Sequence, residues 1–165
     1  MIHQNATGAP APSFTSIPAG GEAASAWLLA ELREAHDTLL SAMDAMNGAT
    51  SVAVPDRNCY TNARWRLSRA SLRRRTLWGK VFQHLLPRAG PTDAEALESL
   101  DMANRDMLHK SAAHVGRWTM ATIELDWREY CTASRAIRRE MEAGISTERR
   151  IAYPLLAQAA QGGRR

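Results

Sequence analysis

The stretch Trp27-Leu-Leu-Ala-Glu-Leu-Arg-Glu-Ala-His36-Asp-Thr-Leu-Leu-Ser-Ala-Met-Asp-Ala-Met46 decides the fold. Its apolar residues recur at Leu29, Leu32, Leu39, Met43 and Met46, the three-four spacing that marks the inward seam of an amphipathic helix. The gap in the series is filled by His36, so an imidazole is predicted to point at whatever the helix packs on. Near the other end of the chain, Glu148 interrupts a second seam in the same way.

Working outward, the first helix is predicted from about Glu22 to Met46, stopped by Asn47-Gly48. A second helix follows from about Asn62 to Leu86, with Pro87 as its terminator. Thr92-Asp-Ala-Glu95 reads as a capping box that opens a third, running to about Ala121. A single helix from Asp93 to Leu156 would be ~95 Å long, so a break is expected near Thr122 to Glu124. The fourth helix then ends around Ala159, with Pro154 distorting its last turns.

Little else reads as regular structure, and the prediction is all-α: an antiparallel up-down four-helix bundle over residues 22–160. A disordered tail over 1–21, rich in Ala, Pro, Gly, Ser and Thr, precedes it, and a frayed end over 161–165 follows. The second seam comprises Leu67, Ala70, Arg74, Leu77, Val81 and His84 or Leu85. The third comprises Leu97, Leu100, Asn104, Met107, Ser111, His114, Trp118 and Leu125. The fourth comprises Ser134, Ile137, Met141, Gly144, Glu148, Ala152 and Leu155. Each carries polar interruptions, which are costly unless those groups meet partners.

At 165 residues the chain is long enough for one well-formed core. No apolar run approaches the ~20 residues that span a bilayer, and the N-terminus lacks the basic start and apolar stretch of a secretory signal. A cytoplasmic protein with no membrane contact is expected. Cys59 and Cys131 are too far apart for a CxxC motif and are expected as free thiols. The net charge is +4, unevenly spread. Nine basic residues and no acidic one lie between Arg57 and Arg88, flanked by acidic first and third helices. Such an element can be neutralised within the bundle, or Arg64, Arg66, Arg69, Arg73 and Lys80 can follow a phosphate backbone. Tyr60, Trp65, Trp78, Trp118, Trp127 and Tyr130 are expected as core or rim packing. His84 is expected to cap the second helix and His114 to pack with Trp118. No nucleophile-base-orienter set and no phosphate-binding glycine loop is present.

Two phrases resemble a known family. Leu32-Arg-Glu-Ala-His36-Asp-Thr-Leu-Leu40 is similar to the first helix of hemerythrin-like (HHE) domains, and Glu148-Arg-Arg-Ile-Ala-Tyr153-Pro154-Leu-Leu to their last. The resemblance covers roughly residues 25–158. It implies a four-helix bundle holding non-haem iron, with His36 and Glu148 as ligands. The family's last-helix pattern has a histidine one turn before the glutamate, where this chain has Gly144. The second-helix pattern has a carboxylate after its histidine, where Arg88 follows His84-Leu-Leu-Pro.

Helix heights at ~1.5 Å per residue bring His36 and Glu148 to one level, about 20 and 15 Å above the base. The same arithmetic places His84 and His114 far from it as further metal ligands, and brings Arg74, Asn104, Met107 or Ser111 near. The expectation is a buried polar cluster of His36, Arg74, Glu148 and Asn104, with Arg74 paired to Glu148 where a metal would sit. The function expected is non-enzymatic sensing or interaction by a bundle with a degenerate metal site, without a cofactor. The alternatives are a working iron- and oxygen-binding protein, and a basic helical adaptor for nucleic acid or an acidic protein partner.

Overall fold

The computed structural model of the protein describes residues 17–162. The predicted tail, apart from its last residues, and the last three residues of the predicted frayed end lie outside that range. Helix α1 spans Gly21–Ala49, α2 Arg57–Leu85, α3 Pro91–Arg117, α4 Met120–Leu125 and α5 Trp127–Ala160, with a 3-10 turn at Leu86–Arg88. The fold is an all-α bundle of five joined helices with no strand among the described residues.

Helix α1 is the centre of the packing. It lies between α2 and α5, whereas α3 leans mainly on α5. Two neighbours need two inward faces, so Leu28, Ala35 and Ala42 are buried beside the seam of Leu32, Leu39, Met43 and Met46. Full burial of such Leu and Met side chains is worth about 1.5–3 kcal/mol each. Contacts between Ser25 and His84 and between Arg73 and Glu34 set α1 antiparallel to α2. Those between His36 and Glu148 and between Asn47 and Arg138 do the same for α1 and α5. By contrast α3 buries only Leu97 and Leu100.

Several boundaries differ from expectation for local reasons. Helix α1 passes through Asn47-Gly48 to Ala49, because Gly48 does not take a positive φ. Helix α2 begins five residues early, since Asp56 accepts from the Cys59 N–H at 3.1 Å. The Thr92 capping box does not form: Gly90 is the N-cap and Pro91 occupies the first helical position, which needs no N–H. The break before the last helix falls at Trp118-Thr119 and creates α4, capped by the Thr119 hydroxyl accepting from the Thr122 N–H. This extra break carries Leu125 off its predicted seam to 87% exposure. Helix α5 continues through Pro154 to Ala160. Its buried line is Tyr130, Ser134, Arg138, Met141, Ile145, Glu148, Ala152 and Leu156, so Arg138, Ile145 and Leu156 replace the expected Ile137, Gly144 and Leu155. Trp65, expected to pack, is exposed. No helix among the described residues is long and apolar enough to cross a membrane.

Candidate functional site

Glu148 is fully buried and receives four donors. His36 Nε2 lies 2.6 Å and Arg74 Nε 3.0 Å from Oε2. Asn104 Nδ2 donates to Oε1 at 2.6 Å, and Arg74 also donates to Oε1 through its terminal nitrogen. The same arginine nitrogen donates to Asn104 Oδ1 at 2.8 Å, which fixes the orientation of the amide. Four helices thus converge on one carboxylate: α1 through His36, α2 through Arg74, α3 through Asn104 and α5 through Glu148. Met43 and Ile145 close the core above this level, while Leu32, Leu77, Val81 and Ala152 close it below.

Burial alone would raise the Glu148 pKa. The hydrogen bond from His36 and the charge and hydrogen bonds of Arg74 outweigh burial and hold the carboxyl below its ordinary value. An ionised carboxylate only accepts, so His36 Nε2 carries the proton it shares with Glu148. On the far side of the ring, Nδ1 lies 2.7 Å from the Tyr153 hydroxyl, and the two rings are stacked. In the neutral ring Nδ1 accepts and Tyr153 donates. Tyr153 is half-buried; burial raises its pKa, and it carries the Arg33 guanidinium over its other edge. Its place in the network was not foreseen. The available signal was its position one residue after Ala152 on the seam.

A carboxylate has about four lone-pair directions, and all four are taken here by protein donors. A metal ion at Glu148 would have to displace Arg74, His36 or Asn104. His84 and His114, the other histidines considered as ligands, lie elsewhere. His84 does not cap α2: its Nε2 meets the buried Ser25 hydroxyl at 2.7 Å. That hydroxyl donates to the Gly21 carbonyl at 2.8 Å, so the histidine is the donor and the serine is not activated. Burial, then the Arg88 charge, lowers the His84 pKa. His114 stacks on Tyr130, and Trp118 meets that ring edge-on rather than pairing with His114. Among the described residues no three His, Cys, Asp or Glu side chains converge as a metal-binding group. Cys59 and Cys131 are free thiols.

A second buried cation lies one end of the bundle away. Arg138 is 1% exposed and has no carboxylate partner among the described residues. It donates to Asn47 Oδ1 at 2.9 Å, Thr50 Oγ1 at 3.1 Å and Ser134 Oγ at 2.5 Å. Asn47 and Thr50 sit at the C-terminal end of the 29-residue α1, where the helix dipole is negative. The basic face of α2 is partly neutralised: Arg73 pairs with Glu31 and Glu34 on α1. Arg69 lies over the Trp65 ring and Arg64 over Tyr130.

No protein-family model matches the chain. Searches of curated proteins and of solved structures likewise return no significant match.

Proposed function

We propose that the chain is a hemerythrin-like up-down four-helix bundle in which an arginine stands where such bundles hold a metal. On this reading it is a non-enzymatic, cytoplasmic protein with a sensing or interaction role and no resident cofactor. One observation carries the reading: Glu148 is saturated by Arg74, Asn104 and His36, with the guanidinium supplying the positive charge a metal would supply. The residues fit an ion-pair network better than a metal centre, because His36 and Glu148 are already engaged with protein donors and acceptors. Support also comes from Gly144, one turn before Glu148, where a ligand side chain would be needed and only the Arg74 guanidinium is near.

The test is iron analysis with an absorption spectrum on protein purified from iron-supplied cells. Iron well below one equivalent and no ligand-to-metal charge-transfer band are expected. Near-stoichiometric iron with such a band would overturn the proposal in favour of a working iron site.

A further inference from the structure

The outer face of α2 carries unneutralised charge and exposed apolar surface together. A groove of about 1050 Å3 runs between α1 and α2, with Ala42 and Ala70 in its lining and Trp65, Arg66, Arg69 and Leu72 along the α2 wall. Trp65 is 58% and Leu72 57% exposed, high values for apolar side chains of this size. Arg66 makes no ion pair among the described residues, and Arg69 is stacked on Trp65 without a carboxylate. The acids on the opposite wall are engaged: Glu31 and Glu34 hold Arg73, and Asp37 holds Arg149.

The outer face of α3 is its complement. Glu95, Glu98 and Met102 follow one another at helical spacing on the side away from Leu97 and Leu100. Met102 is 63% exposed, and Glu95 and Glu98 make no ion pair among the described residues. The spacings match. From Met102, Glu98 and Glu95 lie about 6 and 10 Å along the helix; from Leu72, Arg69 and Arg66 lie about 4.5 and 9 Å along theirs. The residual differences are within the reach of an arginine side chain.

We propose that α3 of a second copy of this chain docks in the α1–α2 groove, running parallel to α2. Met102 rests against Leu72 and Trp65, while Glu98 and Glu95 pair with Arg69 and Arg66. A second copy is favoured over other acidic occupants because both complementary faces belong to this chain and each lacks an ion-pair partner among the described residues. A duplex polyanion would offer the exposed Leu72 no apolar partner, which Met102 of α3 does. Groove and docking helix are different surfaces, so the contact is heterologous and either closes by reciprocity or propagates. The inference rests on the outer faces of α2 and α3 and not on the Arg74–Glu148 network, so either proposal can fail alone.

Light scattering or sedimentation of the full chain from low- to high-micromolar concentration tests it. The mass is expected to rise above the 18.2 kDa of one chain, and less so at high salt. R66E/R69E and E95R/E98R should each weaken association by at least about tenfold while keeping the far-UV circular dichroism of the parent. Mixing the two variants should restore association, since each supplies the charge the other has reversed. A parent that stays monomeric, variants that associate like it, or a mixture that stays monomeric would overturn the proposal. Binding of generic duplex DNA by a monomeric parent, lost in R66E/R69E, would overturn it in favour of a polyanion site.

Discussion

Replacing Arg74 with methionine removes the guanidinium that faces Glu148 and leaves the rest of the pocket in place. Three hydrogen bonds go: Nε to Oε2 at 3.0 Å, the terminal nitrogen to Oε1, and the terminal nitrogen to Asn104 at 2.8 Å. His36 and Asn104 remain as donors, but Glu148 is fully buried and loses its guanidinium partner. Breaking a buried pair from one side costs about 3–5 kcal/mol. For a chain of 165 residues, each kcal/mol moves the melting temperature by about 2–4 °C, so R74M should melt roughly 6–20 °C below the parent. Urea titration followed by circular dichroism measures the free energy directly.

The pH dependence distinguishes this cause from lost packing. In the parent the Glu148 pKa is depressed, so its contribution is complete above the unfolded carboxylate value near ~4.3 and disappears as pH falls through the lower folded value. In R74M burial dominates and the carboxyl takes up a proton more readily. The gap between parent and variant should therefore be widest near neutrality and shrink on acidification. An R74M protein within about 0.5 kcal/mol of the parent at neutral pH, or a gap that ignores pH, would refute the reasoning.

Three further outcomes are expected. G144A should be stabilising by about 0.5–1 kcal/mol in urea titration, because the position is interior to α5 and the added Cβ meets only Arg74, at an ordinary 3.9 Å. The pKa values of His84 and His114 are both lowered, first by burial and then by nearby arginines. As pH falls below the unfolded histidine value of ~6.5 the unfolded chain takes protons first, so stability declines until the folded values are passed. H84Q/H114Q should lose less stability than the parent between pH 8 and pH 5, and equal losses would contradict this. R138M should cost about 1–3 kcal/mol, less than R74M and without its acid dependence, because the groups it abandons are neutral.

What is legible in the sequence is what helical periodicity controls. A polar residue on a three-four seam has to face inward, and adding heights at a fixed rise per residue brings His36, Arg74, Asn104 and Glu148 to one level without reference to side-chain detail. Periodicity fails where a break resets it. The Thr119 cap, three residues before the break expected at Thr122 to Glu124, shifts the phase enough to expose Leu125. It also fails where hydrophobicity chooses between neighbouring residues. Ile137 was preferred to Arg138 on the fourth seam, yet the buried position belongs to the arginine, because Asn47, Thr50 and Ser134 offer it acceptors that a helix-by-helix reading does not assemble. Trp65, expected in core or rim packing, lies on the face of α2 opposite the buried line of Ala63, Ala70 and Arg74.

The two buried arginines solve one problem in different ways, and the difference has a consequence. Arg74 is balanced by a full charge on a group that titrates; Arg138 is balanced by the dipolar end of α1 and by hydroxyl and amide oxygens, none of which titrates in the accessible range. Acid therefore strands Arg74 and leaves the surroundings of Arg138 unchanged. The helices joined at Glu148 are all four long ones, whereas Arg138 joins only α5 to the end of α1. Loss of the Glu148 charge thus acts on one of the contacts that hold α3, which buries only Leu97 and Leu100 and keeps one other polar link to a buried side chain, from Trp78 to Asp101. On acidification α3 is the element that should loosen first, with α1, α2 and α5 kept together by their larger apolar clusters.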